Sequence, residues 1–219
     1  MNRLIIIGAV GLAIAAGAIY WITGSGTGAR NGAEAIQAAD VDTSSIVEMS
    51  MGPADAKVTV IEYASFTCPH CANFHKGPFK DLKAEYVDTG KVHFIYRDVY
   101  FDPLGLAASQ LARCDGPDRF FGISDMLYNR QNVWADRSAS RAQVFDNLTK
   151  IGKVAGLSEE QIQACLNDEE KSKTLVAWYQ QHAGAHGVDS TPTLIINEQK
   201  YANMNYSDLK AIIEEKLAE

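Results

Sequence analysis

Apolar and polar positions fall into short, strongly patterned runs from residue 57 onward. Lys57-Val58-Thr59-Val60-Ile61-Glu62-Tyr63-Ala64 is β-branched and aromatic and is bounded by turn residues, which predicts a buried strand. Ser65-Phe66-Thr67 turns the chain. Phe74, Phe79, Leu82, Tyr86 and Val87 then recur at helical spacing, and Pro78 is expected to kink that helix rather than end it. Asp88-Thr89-Gly90 reads as a turn and Val92–Asp98 as the next strand. From Pro103 to about Gly187 the pattern is helical throughout, with Leu111, Phe120, Leu127, Trp134, Val144, Leu148, Ile162, Leu175 and Trp178 among its apolar positions. Within it, Ser158 followed by Gln161 is a helix-start signal. Thr193–Asn197 predicts a strand, Glu198-Gln199 a tight turn into Lys200-Tyr201-Ala202, and Ser207 the cap of a last amphipathic helix through Leu217.

Without the long helical block this order is β-α-β, then β-β-α. The first part is a parallel crossover unit. The expected class is therefore α/β: a small platform from residues 46–102 and 188–219, carrying an inserted helical domain at 103–187. The N-terminus has another character. Arg3 precedes an uncharged apolar run, Leu4–Ile22, whose length at ~1.5 Å per residue approaches the ~30 Å hydrocarbon layer. Residues 1–22 are expected to be a signal peptide or a membrane anchor, and Thr27-Gly28-Ala29 offers small residues for cleavage. Positive charge on the short N-terminal side directs the body out of the cytoplasm, to a periplasm-like compartment. Residues 23–45, opening on Gly, Ser and Thr, read as a flexible linker.

Composition narrows the function. A formal net charge of −7 argues against nucleic-acid binding, which needs a basic face to neutralise phosphates. The 47% apolar and 21% charged content is that of a globular protein and excludes the disordered and fibrous classes. Four cysteines, Cys68, Cys71, Cys114 and Cys165, suit two pairs. The distant pair can form a structural disulfide in an oxidising compartment.

Cys68-Pro69-His70-Cys71 sits where the first strand gives way to the first helix. A cysteine at a helix N-terminus faces unpaired backbone N–H groups and the positive end of the helix dipole, which favour thiolate over thiol. Cys71, one turn in, can close a disulfide with it. Pro69 fits the first turn, where its missing N–H has no helical partner to lose, and His70 adds a polar, partly cationic ring. A stabilised thiolate is a good leaving group, so the motif favours giving its disulfide away. Zinc needs about four ligands. Cys114 and Cys165 are isolated, and His182/His186 lack a cysteine neighbour and read as helix C-terminal or surface residues, so no metal is expected. His75 reads as a packed or surface histidine.

The run Glu62-Tyr63-Ala64-Ser65-Phe66-Thr67-Cys68-Pro69-His70-Cys71 resembles the DsbA family of periplasmic disulfide donors, over roughly Ile46 to the C-terminus. The resemblance implies a thioredoxin-like fold with an inserted helical domain. Cys68 would be the nucleophile, Cys71 the buried resolving thiol, and His70 a residue that tunes the potential. Thr191-Pro192 would be the cis-proline loop that pairs with substrate, and Glu62 the buried acid beneath the active site. Cys114 and Cys165 would bridge two helices of the insertion, as in some relatives. The resemblance implies exported proteins with reduced cysteines as substrates, a DsbB-like membrane quinone reductase as recycling partner, a monomer, and no cofactor. Two readings stay beside disulfide donation. Thr191, where the best-known DsbA has valine, also occurs in isomerases, which admits a periplasmic isomerase or reductase. A tethered non-catalytic chaperone is the other.

Overall fold

The computed structural model describes residues 41–136 and 138–219. Five strands form one sheet: β1 (Met49–Met51), β2 (Val58–Ala64), β3 (Val92–Asp98), β4 (Thr193–Ile196) and β5 (Gln199–Ala202), in the order β1-β3-β2-β4-β5. β2 and β3 run parallel, with Glu62 opposite Tyr96; every other neighbouring pair is antiparallel, and Glu62 also lies opposite Leu194 of β4. Alternation along the strands separates two faces. Val58, Val60, Phe94, Tyr96, Leu194 and Ile196 pack into the main core with Phe74 from the first helix and with Leu209 and Ile213 from the last. Tyr63 and Ile195 face the other way, against Val99 and Ala183.

Helix α1 (Pro69–Lys76) follows β2, and α2 (Pro78–Leu82) leads through a π-helical turn, Lys83–Val87, to β3. Pro78 does more than kink this segment. Gly77 leaves helical geometry, with φ −126° and ψ −96°, and Pro78 starts a new helix. Among the described residues, six helices lie between β3 and β4: α3 (Pro103–Ala112), α4 (Pro117–Asn129), α5 (Gln131–Trp134), α6 (Arg141–Val154), α7 (Glu159–Leu166) and α8 (Glu169–Ala185). Two capping boxes, Ser140/Gln143 and the expected Ser158/Gln161, start α6 and α7. Gly152 allows α6 to approach α7, since a Cβ there would lie 2.7 Å from the Ile162 side chain. Phe66 joins the platform to the insertion. Its ring stacks on Tyr96 at 5.6 Å and meets Tyr128 of α4 at 5.1 Å between centroids. Such pairs add about 0.5–1.5 kcal/mol each beyond burial.

Three boundaries differ from expectation. β1 was not anticipated, being too short to carry an alternating pattern. The β4–β5 turn is Asn197-Glu198, both at positive φ (42° and 70°), one residue earlier than expected. Asn205, not Ser207, caps α9 (Tyr206–Ala218), accepting from the Asp208 N–H at 3.0 Å. The expectations for residues 1–22 and for most of 23–45 lie outside the described residues. Where the expected linker is described it is docked rather than free: Thr43 donates to Gln181 of α8 at 3.0 Å, and the adjoining Ile46 packs on Leu175 and Trp178. Among the described residues no helix is long and apolar enough to cross a membrane.

Candidate active site

The strand-to-helix turn after β2 places Cys68 as the N-cap of α1, with extended backbone (φ −81°, ψ 121°) and its carbonyl accepting from the Ala72 N–H at 3.1 Å. Pro69 and His70 are exposed on the first turn; Cys68 is 8% exposed and Cys71 wholly buried, and both are free thiols. The Thr191–Pro192 peptide is cis, Pro192 is buried, and the Thr191 carbonyl lies 3.5 Å from Cys68 Sγ. The two remote parts of the chain singled out in the sequence therefore meet at one sulfur.

That sulfur is acidic. A hydrogen bond from the Cys71 thiol, helped by the Thr191 hydroxyl and the backbone N–H groups of Cys71 and His70, holds the Cys68 thiol down to about 5, against the opposing effect of burial. Burial pushes the Cys71 thiol far above the ordinary range, and Cys68 and the Glu62 carboxylate push the same way. The motif thus holds one sulfur ready to carry charge and one that resists it.

Glu62, fully buried on β2, has Oε2 2.8 Å from His75 Nε2, while Oε1 has no hydrogen-bond partner among the described residues. His75 is 4% exposed and stacks on Tyr128 at 4.2 Å between centroids. The Tyr128 hydroxyl in turn lies 2.6 Å from that of Tyr96. His75 is a packed histidine, but it is also the partner of the buried acid. Its position one turn after Cys71, on the same helix face, was the available signal.

Two further residues hold the turn before Cys68. Asp102, N-cap of α3, accepts from the Thr67 hydroxyl at 2.7 Å and from the Gly105 N–H at 2.9 Å. Gln131 of α5 donates to the carbonyls of Phe66 and Cys68 at 2.8 and 2.9 Å. Neither carries a sequence signal for this role. Cys114, just past α3, and Cys165 of α7 are disulfide-bonded, with Cα atoms 5.6 Å apart. His186 ends α8, its Nδ1 2.8 Å from the Tyr63 hydroxyl.

Comparison with known proteins agrees with this geometry. The thioredoxin family model matches residues 44–215. A Rickettsia bellii protein named as a candidate protein-disulfide oxidoreductase is 32% identical over 78% of this chain, and the match spans 65% of that protein's length. Disulfide bond formation protein D of Bacillus subtilis is 23% identical over 76% of each chain. The crystal structure of Wolbachia pipientis α-DsbA1 superposes with a TM-score of 0.71 at 24% identity, covering 78% of this chain and 91% of that one. With the family model spanning most of its length and the reactive pair at the N-terminus of α1, the chain belongs to the thioredoxin family, in the DsbA-type arrangement with a helical domain inserted between β3 and β4.

Proposed function

We propose that the protein is a thiol:disulfide oxidoreductase that donates the Cys68–Cys71 disulfide to exported proteins. The observation that carries this reading is the placement of two free thiols at the start of α1, Cys68 at the N-cap beside the cis Thr191–Pro192 loop and Cys71 wholly buried one turn on, an arrangement that pushes the first thiol down and the second up. A substrate thiolate attacks Cys68 Sγ of the oxidised enzyme. The Cys68–Cys71 bond breaks, a mixed disulfide forms, and Cys71 leaves with the electron pair and takes a proton. A second substrate thiolate then attacks the substrate sulfur of the mixed disulfide and expels Cys68 as a stable thiolate. The substrate leaves oxidised by two electrons and the enzyme leaves as a dithiol. Because Cys71 holds its proton tightly, it competes poorly for the mixed disulfide, which favours forward transfer.

The Glu62 carboxylate, paired with His75, pushes the Cys71 thiol up and is assigned the tuning of the pair. His70 acts on Cys68 through its backbone N–H, and its exposed ring adds to the surface that meets substrate. The Thr191–Pro192 loop presents backbone to an extended substrate chain, a form of strand addition. The protein acts as a monomer in the periplasm and is reoxidised by a DsbB-like membrane quinone reductase.

Oxidised protein mixed with a reduced dithiol peptide should transfer one disulfide per molecule, and Cys68→Ser should abolish the transfer. In glutathione buffers the pair should be a stronger oxidant than glutathione. A pair more reducing than glutathione would overturn disulfide donation. Thr191 favours the isomerase as the second reading; repair of a scrambled disulfide substrate faster than net oxidation of a reduced one would support it. Thr191→Val removes one hydroxyl donor to the thiolate and should raise the Cys68 pKa by about one unit, a typical value for one hydrogen bond to a charged group. Ultraviolet thiolate absorbance followed against pH measures it, and an unchanged curve would remove the Thr191 hydroxyl from the donors to the thiolate.

A further inference from the structure

We infer that Gln131 is a positioning residue of the reactive centre, through which the inserted helical domain sets the stability of the Cys68 thiolate. The inference deepens the proposed function and rests on it for its catalytic meaning. A primary amide has two N–H donors. Gln131 has a carbonyl for each of them, Phe66 O at 2.8 Å and Cys68 O at 2.9 Å, and so spans the Phe66-Thr67-Cys68 turn from outside.

The anchor behind this amide is rigid. Gln131 opens α5, four residues long, and the fully buried Trp134 ends it, its indole N–H donating to Leu127 O of α4 at 2.7 Å. Asn147 of α6 donates to Val133 O at 3.2 Å, so α5 is tied to both neighbouring helices. From the other side Asp102 accepts from Thr67. The turn is thus held by two side chains, Asp102 at the threshold of the insertion and Gln131 at its middle.

The consequence for the sulfur is electrostatic and geometric. The Cys68 carbonyl is the acceptor nearest in sequence to its own thiolate and already receives the Ala72 N–H. A second donor on that oxygen withdraws negative charge from the neighbourhood of Sγ. It also fixes the N-cap backbone that directs Sγ toward the N–H groups of His70 and Cys71 and toward Thr191. Nothing in the sequence around Gln131 marks it for this role. Its two contacts lie more than 60 residues away in sequence.

The test uses the full protein in its reduced form. Gln131→Met keeps length and approximate volume but removes both donors. It should raise the apparent pKa of Cys68, read by thiolate absorbance, by about half to one unit, and weaken the pair as an oxidant of glutathione by the corresponding ~3- to 10-fold. Gln131→Glu puts a carboxylate against two carbonyls and should shift both readouts further in the same direction. Asn147→Ala is the control: it removes the outer tie of α5 but leaves the Trp134 anchor and both Gln131 donors, and should lower the melting temperature while leaving the pKa in place. The inference fails if Gln131→Met or Gln131→Glu melts early with pKa and glutathione equilibrium unchanged, or if Asn147→Ala moves the pKa as far as they do. Thiolate absorbance does not depend on the direction in which the enzyme runs. Shifted pKa values together with a wild-type protein that oxidises no peptide would uphold Gln131 and remove the oxidase reading.

Discussion

The reduced protein should gain stability over the oxidised protein by about 1.4 kcal/mol for each pH unit between about 5 and 8.5. An unfolded cysteine titrates near 8.5, whereas folded Cys68 is held down to about 5. Between those values the folded state carries a thiolate and the unfolded state a thiol, so the unfolded state binds the extra proton and stability rises with pH. The contribution is complete above the unfolded pKa and is lost as the pH falls through the folded one. At pH 7 it amounts to at most about 3 kcal/mol, an upper bound that solvent screening at the open side of the sulfur reduces. Cys71 acts outside this window. Its raised pKa means that the unfolded state loses a proton which the folded state keeps, so stability falls again above about 8.5. Neither sulfur titrates once the disulfide forms, and the other ionisable groups are common to both forms. Urea unfolding of the two forms at several pH values isolates the Cys68 contribution. Parallel curves from pH 5.5 to 8 would show that the thiolate is not stabilised by the fold, and the chemistry proposed for Cys68 would lose its driving force.

Removal of the Cys114–Cys165 bridge should cost up to about 4 kcal/mol, the loop-closure bound for a link of this span, while leaving peptide oxidation near the wild-type rate. For a chain of this size that corresponds to a fall in melting temperature of about 10 °C. The bridge ties the end of α3 to α7, and the Gln110 amide, donating to Cys165 O and Asp168 O at 3.0 Å each, braces the same junction. A double serine variant measured by thermal unfolding and by peptide oxidation separates the two roles. Lost turnover at unchanged stability would make the pair a second redox centre.

What could be read from the sequence was chemistry that is local or out of place. Cys68 and Cys71 announce themselves because a dithiol at a strand-to-helix junction has few other uses. Glu62 stands out as an acid inside a strand of valine, isoleucine and tyrosine. The cis peptide at Pro192 was expected from family resemblance, not from spacing. His75 is packed, as one of its two expected readings had it, but its pairing with Glu62 was not legible because that group lies 13 residues away on a different element. Gln131 and Asp102 could not be recognised because their partners are backbone carbonyls and a hydroxyl, fixed only once the helices pack. Small boundary errors have the same origin. Asn197 and Glu198 adopt left-handed backbone that Gly would signal more clearly, and Asn205 outcompetes Ser207 for the cap by two residues.

The order β1-β3-β2-β4-β5 leaves β1 and β5 at the rims of the sheet, and both are short. Under the proposed function the protein would meet chains with unpaired backbone, and any long bare rim would recruit them into aggregates. β1 offers three residues. On β5, Lys200 adds a charge and donates to Gly187 O at 2.7 Å, closing part of that border with its own side chain. Strand pairing with foreign chains is thereby discouraged at the margins; on the proposed function it would be left to the loop beside Cys68, where it would last only as long as a covalent bond between two sulfurs.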